Sequence, residues 1–307
     1  MGEAVRLHQQ GSGRQATQRA HASDWAVFET WCDSVGLCAL PAEPPTIAAF
    51  LGAQVAAQHA PATLRRRLAS IAVRHRREGH PSPCSHETVR TVMRGVWDDR
   101  TAVSYARGPA TPLLAADVRA MLSTVPPGPA GTRNRAILLL GFGLGLRRSE
   151  LAGLTCAALT FESRGLVVQL GRTKTTTAAE GREVSLPMGR DPTTCPVRAL
   201  QAWLDVSGIE DGPVFRGVSR WGAIARTGIT DKAVNDIIQG LATAAGIPTE
   251  RVSAHSLRSG HITQRRIGGE EVANIQDTTG HRSERMVRHY DRAAKRFRVD
   301  VLARLGF

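Results

Sequence analysis

The sequence predicts a mainly α-helical protein with one small antiparallel β-sheet, divided into an N-terminal all-α domain and a C-terminal α+β domain. The chain has 307 residues, which exceeds the size of one typical domain. Apolar residues recur at helical spacing along most of the chain, and the period changes to two between Cys156 and Leu186. A segment with Gly108-Pro109 and Thr111-Pro112 carries the helix breakers of a linker between the two domains.

The N-terminal part is predicted to contain an arm and four short helices. Residues 1–20 are polar and lack periodicity, which predicts a disordered basic arm. Residues 21–100 form the predicted helical domain. Its helices are expected to begin near Ser23, after Pro44-Pro45, near Pro61 and near Ser85, the last ending at Trp97.

The third of these helices is unusually rich in arginine. Its predicted apolar stripe consists of Leu64, Leu68, Ile71 and His75. Six arginines surround the stripe, namely Arg65, Arg66, Arg67, Arg74, Arg76 and Arg77. Six are more than solubility requires, so we favour a helix that faces DNA over one that is merely solvated.

The linker is assigned to residues 101–112 and the second domain to residues 113–307. Period-two segments at Leu166–Leu170 and Glu183–Leu186 predict two strands that flank a loop containing Lys174. Helices are predicted after Asp117 and over Thr132–Leu144, Cys195–Val206, Asp231–Ala244, His255–Ile267 and Glu270–Thr278.

The formal net charge of +13 indicates an anionic partner, with nucleic acid as the first candidate and an acidic membrane surface as the second. The longest apolar run, Ala136–Leu146, has 11 residues and is too short to span a bilayer. No signal peptide is predicted at the N-terminus. We therefore expect a cytoplasmic protein without a membrane partner.

Cysteine usage and histidine spacing argue against disulfides and metal sites. The chain has 5 cysteines without a C-x-x-C pair, which suits a reducing compartment. The segment with His75, His80, Cys84 and His86 resembles a zinc half-site, but it contains two prolines and has no matching half-site. No metal ligands are therefore predicted.

The last fifty residues contain the most distinctive combination of reactive groups. His255 and Arg258, at positions i and i+3, share one face of a helix turn and can converge on one anion. Tyr290 is one of two tyrosines, with Tyr105, and a phenol can act as a nucleophile that forms a covalent intermediate. The simpler interpretation is a packing tyrosine with a solvated hydroxyl.

A turn earlier in the chain delivers a further arginine. Gly145 and the residues up to Leu151 predict a sharp turn that presents Arg147 from a buried element. On local pattern alone, a helix-surface arginine paired with Glu150 or Glu180 is the better interpretation of Arg147.

Taken in order, these segments resemble the tyrosine recombinase, or phage integrase, family. The matching segments are Gly145–Leu151, Arg172–Lys174, His255–Arg258, Gly280-His281 and Tyr290. The resemblance covers Pro112–Phe307 strongly, and the N-terminal helices resemble the family's core-binding domain more loosely. It implies a catalytic domain that forms, with the core-binding domain, a clamp around DNA. The implied catalytic residues are Arg147, Lys174, His255, Arg258, His281 and Tyr290.

The resemblance also implies a chemistry for these residues. Arg147 and Arg258 would hold the scissile phosphate, and His281 would add a hydrogen bond. Tyr290 would attack phosphorus to form a 3′-phosphotyrosyl link, with His255 assisting proton removal and Lys174 protonating the leaving oxygen. No metal or cofactor is implied. Ser149 and Glu150 also match the family's motif and are assigned to supporting Arg147.

The implied function is site-specific recombination of double-stranded DNA, giving integration, excision or resolution. The implied assembly is a homotetramer on paired DNA sites, formed from a monomer or weak dimer in solution. Two alternatives stay open at this point. A type IB topoisomerase has a similar catalytic set, and a catalytically silent DNA-binding regulator could share the fold.

Overall fold

The computed structural model describes residues 2–98, 110–171, 181–281 and 283–288, with side chains from residue 17 onward. The chain divides into two units, Met1–Gly108 and Pro109–Phe307. Tyr105, Lys174, Glu180, Tyr290 and most of the predicted linker lie outside the described residues. No helix within the described ranges combines the length and the apolar character that crossing a membrane requires.

The described part of the N-terminal unit is helical apart from short connections and one 3-10 turn at Pro83–Ser85. Proline occupies the first turn of two of its helices, where its missing N–H has no intrahelical partner to lose. The α-helices are α1 (Gly2–Ser34), α2 (Pro44–Ala56), α3 (Pro61–Arg77) and α4 (Glu87–Asp98).

Helix α1 differs from the prediction, because it begins at Gly2 where the sequence suggested a disordered arm up to residue 20. The segment before Ser23 contains no proline. The packed aromatic residues near the end of α1 provide a nucleus, and extending an existing helix costs much less than starting one. Periodicity missed this part of the helix because its sequence has no helical repeat of apolar residues.

The core of the N-terminal unit is built around aromatic side chains. Phe28 of α1 and Phe50 of α2 are fully buried and meet edge to face, with 5.0 Å between ring centroids. Leu64 and Ile71 of α3 pack into the same core. His75 is also buried there, and its ring nitrogens hydrogen-bond with the Ala42 N–H and the Ile71 carbonyl. His75 is thus a structural histidine.

The C-terminal unit is organised on one apolar helix. Its α-helices are α5 (Ala115–Ser123), α6 (Pro129–Leu144), α7 (Arg148–Ala152), α8 (Pro196–Ser207), α9 (Asp231–Ala244), α10 (Ala254–Ile267), α11 (Val272–Thr279) and α12 (Glu284–Arg288). Helix α6 packs against α8 and α10, and its residues from Ala136 to Leu140 are all buried. A helix that is buried on most sides needs the nearly continuous apolar run that the sequence shows.

Two small antiparallel sheets complete this unit. The three-stranded sheet has the order β1 (Leu159–Glu162), β2 (Gly165–Leu170), β3 (Arg182–Pro187), with Val168 opposite Val184. The predicted strands correspond to β2 and β3, and the predicted fold class is confirmed. The two-stranded sheet of β4 (Arg216–Val218) and β5 (Ile224–Gly228) was not predicted.

Helix α10 lies unusually close to the segment that enters the C-terminal unit. The Leu113 N–H donates to the Ser256 carbonyl at 3.0 Å. A Cβ added at Gly260 would lie 1.7 Å from the Leu113 carbonyl oxygen. Because backbone rather than a flexible side chain occupies this space, Gly260 is required for the approach.

We predict that Gly260→Ala destabilises the C-terminal unit by about 3 kcal/mol, because α10 must move away from Leu113. Gly240→Ala is the matched control, since a Cβ at this exposed position in α9 meets nothing within 4 Å. The control should instead stabilise the protein by about 0.5–1 kcal/mol. Urea unfolding of both variants measures the difference, and equal effects would refute the packing argument.

Candidate active site

The turn between α6 and α7 presents Arg147. Gly145 ends α6 in the left-handed region, with φ +59°, which L side chains rarely adopt. Arg147 then occupies the position before the first residue of α7. Its backbone N–H and its Nη1 donate to the two carboxylate oxygens of Glu150, at 2.8 and 2.7 Å. The Glu150 carboxylate therefore binds both the backbone and the guanidinium of Arg147.

Arg258 is the most deeply buried arginine of the site, with a relative exposure of 1%. From α10, its Nη1 donates to the Gly145 carbonyl at 2.7 Å and its Nη2 donates to the Thr279 carbonyl at 2.6 Å. Carbonyl oxygens carry only partial charge, so these two bonds do not neutralise the guanidinium. Arg258 thus joins the α6–α7 turn to the end of α11 and keeps a positive field.

The turn after α11 brings both arginines to one place. Arg147 Nη2 donates to the Gly280 carbonyl at 3.3 Å, one residue after the carbonyl that accepts from Arg258. Gly280 ends α11 with φ +66°, and His281 follows. Arg258 Nη2 lies 3.3 Å from both ring nitrogens of His281, and the Thr279 hydroxyl lies 2.6 Å from its Nδ1.

His255 lies one helical turn before Arg258 on α10, as the spacing predicted. Desolvation by the surrounding protein, followed by the charges of Arg258 and Arg147, lowers the pKa of His255. The same three causes, with smaller effects of His255 and Arg182, lower the pKa of His281 to about 3. Both imidazoles are therefore neutral at pH 7, and the positive charge of the cluster resides on the arginines.

The structure thus brings together four of the six predicted catalytic residues, Arg147, His255, Arg258 and His281. The other two, Lys174 and Tyr290, lie outside the described residues. The local alternative for Arg147, a pairing with Glu150, is also present, so one residue satisfies both interpretations. An arrangement of fixed cations with neutral histidines is suited to binding a phosphodiester and stabilising added negative charge.

Three of the six arginines of α3 are engaged inside the N-terminal unit. Arg67 is buried and lies 4.0 Å from the buried carboxylate of Asp24. Arg66 is exposed but donates to the same carboxylate at 2.9 Å. Arg74 pairs with Glu78 at 3.3 Å. These interactions explain part of the arginine content without invoking DNA.

The remaining three arginines of α3 face solvent. Arg65, Arg76 and Arg77 are exposed, and Arg65 lies over the ring of Trp97 at 4.6 Å from its centroid. Cation–π contact of this kind fixes the guanidinium while leaving its charge available.

Sequence reasoning did not include two residues that support the site. Arg182, the first residue of β3, donates to both oxygens of Glu150, at 3.2 and 3.1 Å. His261 of α10 hydrogen-bonds the Phe142 carbonyl at 2.8 Å and lies directly beneath Gly145. The sequence offered one usable signal for Arg182, a basic residue immediately before a predicted strand, but nothing that indicated its partner.

Comparison with known proteins shows the family. Residues 112–296 match the sequence model of the phage integrase family. The integrase/recombinase xerD homolog of Selenomonas ruminantium is 30% identical over 297 residues, which cover 94% of this chain and 85% of that protein. The chain belongs to the phage integrase family. The recombinase cre of Escherichia phage P1 is 24% identical over 284 residues, covering 87% and 80% of the two chains.

Solved structures of the family share this fold. The Tn1549 transposon integrase in complex with transposon right end DNA has a TM-score of 0.59 at 18% identity, covering 92% of this chain and 89% of that one. The XerH recombinase bound to palindromic difH substrate has a TM-score of 0.58 at 16% identity, covering 83% and 70%. The family match and the sequence relatives confirm the prediction of a tyrosine recombinase, and the solved structures agree with its fold.

We predict that the stability of the C-terminal unit falls as the pH is lowered from 7 to 5, in part because of His261. Burial, followed by the neighbouring Arg265 charge, lowers the pKa of His261 to about 4. Between pH 6.5 and 4 the unfolded chain binds a proton that the native histidine does not, so stability is lost. This residue alone contributes a loss of about 2 kcal/mol at pH 5.

Urea unfolding at pH 7 and pH 5 measures this loss, with His261→Gln as the comparison. Glutamine does not titrate, so the variant should show a smaller difference between the two pH values. An unchanged difference would show that His261 is not responsible.

Proposed function

We propose that this tyrosine recombinase cleaves and rejoins double-stranded DNA at specific sites through a 3′-phosphotyrosyl intermediate. The observation that carries the proposal is the convergence of Arg147, Arg258 and His281 on the turn after α11. Two guanidinium groups and a neutral imidazole there match the requirements of a phosphodiester whose negative charge increases during reaction. Support for the substrate comes from the solved neighbours, two of which are complexes with DNA.

In the proposed reaction, Arg147 and Arg258 hold the non-bridging oxygens of the scissile phosphate. The Tyr290 oxygen attacks phosphorus and loses its proton with the assistance of His255, while the bond to the 5′-oxygen breaks. Lys174 gives a proton to that oxygen, which leaves as a free 5′-hydroxyl. Attack by the 5′-hydroxyl of a partner strand reverses these steps and releases Tyr290.

We propose that the reaction needs no metal or nucleotide cofactor. The arginines supply the positive charge that a metal would otherwise provide at the phosphate. The phosphotyrosyl bond retains the energy of the phosphodiester, so rejoining needs no external energy source.

We also propose that the exposed face of α3 contacts the DNA backbone. Arg65, Arg76 and Arg77 form this face, because Arg67 is buried and Arg66 and Arg74 are paired with carboxylates. Guanidinium groups that contact phosphates position a protein on DNA without reading its sequence.

We propose a cytoplasmic monomer or weak dimer that assembles as a tetramer on paired DNA sites. The apolar residues of the chain end, from Ala293 to Phe307, lie outside the described residues and are the proposed contact with a neighbouring protomer. Joining of two separate duplexes would distinguish this recombinase from an enzyme that merely relaxes DNA, such as a type IB topoisomerase.

We predict that Tyr290→Phe lowers formation of the covalent adduct by at least about 1000-fold, because the nucleophilic oxygen is lost. DNA affinity should stay nearly unchanged, since the ring and the arginines are retained. Trapping on a nicked suicide substrate, followed by denaturing electrophoresis, measures the adduct. Tyr105→Phe is the matched control and should keep full activity. Loss of the adduct in Tyr105→Phe instead would overturn the assignment of the nucleophile.

We predict that the double change Arg76→Gln and Arg77→Gln weakens binding to all DNA sequences alike. The slope of log affinity against log salt concentration should become less steep by about 1 per arginine, because fewer counterions are released. Filter binding at salt concentrations between roughly 50 and 200 mM measures this slope. Arg90→Gln on α4, where Arg90 lies 3.9 Å from Glu87, is the control. A slope that matches the control would exclude this face from the interface.

A further inference from the structure

One buried carboxylate links three parts of the C-terminal unit. Glu150 of α7 accepts from the backbone N–H and Nη1 of Arg147, and from both terminal nitrogens of Arg182. All four distances lie between 2.7 and 3.2 Å. The side chains of Glu150 and Arg182 are 5% and 10% exposed, so this contact is largely removed from water. The two bonds from Arg182 are parallel, which is the geometry that arginine makes best with carboxylates.

Arg182 also packs against the turn that carries His281. A Cβ added at Gly280 would lie 2.6 Å from Arg182 Nη1. The Gly280 carbonyl in turn accepts from Arg147 Nη2 at 3.3 Å. Arg182 therefore contacts the carboxylate and the backbone that together hold Arg147, while its own backbone begins β3. The segment with Lys174 immediately precedes this strand in the sequence.

We propose that Arg182 is a positioning residue that fixes Glu150 and, through Glu150, holds Arg147 in its phosphate-binding orientation. The inference rests on the function proposed above. It assigns a role to a residue outside the six catalytic positions and places the support of Arg147 on β3.

The direction of the pKa shift of Glu150 agrees with its contacts with Arg182 and Arg147. Burial disfavours the ionised form of Glu150, yet the Arg182 and Arg147 guanidiniums, with a smaller effect of Arg258, hold its pKa below the ordinary value. A protonated Glu150 would lose acceptor capacity and would release part of Arg147. Without Arg182, less positive charge offsets the effect of burial on Glu150, so the pKa of Glu150 must rise.

Arg182→Gln separates this role from a purely structural one because the two predict different pH dependence. Single-turnover cleavage by the variant should be about tenfold slower than wild type at pH 8 and about 100-fold slower at pH 5.5. The defect should grow because the raised pKa of Glu150 in the variant makes a larger fraction of this carboxyl protonated at pH 5.5 than in the wild type. His281 has a pKa of about 3 and stays neutral over this range. Titration of His255 is common to both proteins and largely cancels in the ratio of their rates.

Stability should show the opposite trend. At pH 8 the variant buries an ionised Glu150 that has lost a counter-ion, and its melting temperature should fall by about 5 °C. At pH 5.5 protonation of Glu150 relieves this cost, so the melting temperatures should converge. A merely structural role predicts that activity loss follows destabilisation at every pH.

Two further variants complete the experiment. Arg164→Gln removes an exposed arginine from the β1–β2 turn of the same sheet and should match the wild type at both pH values. Arg182→Lys keeps the charge but not the paired hydrogen bonds. Its loss of cleavage rate should therefore be smaller than that of Arg182→Gln and nearly independent of pH. If Arg182→Gln does not fold, Arg182→Lys still tests the proposal, since full wild-type activity would overturn it.

The outcomes distinguish this inference from the proposed function. Absence of a covalent adduct in the wild type would refute the proposed function, while the pH dependence of melting would still report on the contact between Arg182 and Glu150. A constant ratio of cleavage rates across the pH range, or a ratio equal to that of Arg164→Gln, would overturn the role of Arg182.

Discussion

The candidate site depends on the burial of the Arg258 guanidinium among backbone carbonyls. Its bonds to Gly145 and Thr279 join two helix ends that are more than 130 residues apart in sequence. Burying a charge is costly unless its hydrogen-bonding groups are satisfied. The carbonyl oxygens of Gly145 and Thr279 supply hydrogen bonds without a full negative charge, so they leave positive charge on the guanidinium for a ligand. A carboxylate at the same place would give comparable bonds and cancel the field that a phosphate needs.

Charge balance around this arginine follows the same logic. Arg147, Arg182 and Arg258 surround one carboxylate, Glu150, so three cations face one anion. His255 and His281 do not add to this charge at pH 7, because desolvation and the neighbouring arginines lower the pKa values of both imidazoles. The cluster therefore has a permanent surplus of positive charge that does not vary near neutral pH. Such preorganised charge needs no rearrangement when negative charge develops on a bound phosphate.

Arginine content alone was an ambiguous guide in the N-terminal unit. Helix α3 uses its arginines in two ways, since Arg66 and Arg67 surround the buried Asp24 while Arg76 and Arg77 face solvent. A carboxylate as buried as Asp24 requires cationic partners, which explains why part of the basic run points inward. The arginines of α3 therefore contribute both to the stability of this unit and to its proposed contact with DNA.

Local periodicity was enough to predict most helices, including α9 with the observed ends, and the strands β2 and β3. Their amphipathic patterns depend on near neighbours and so survive in the sequence. Periodicity failed for the part of α1 before Ser23, where the sequence has no helical repeat of apolar residues. It also failed for β4 and β5, which are short, interrupted by a register shift and nowhere fully buried. The family resemblance implied six catalytic residues, and four of these candidates lie together in the described part of the fold.

The support of those residues depends on contacts between distant segments. Three hydrogen-bonded pairs each join separate elements of the chain, namely Arg182 with Glu150, His261 with Phe142, and Arg258 with Thr279. No periodicity relates such pairs, because the side chains meet after helices and strands have packed. Residue types and their order were therefore readable from the sequence, whereas the partner of each charged group was decided by tertiary packing, which excludes water and requires every buried charge to find a partner.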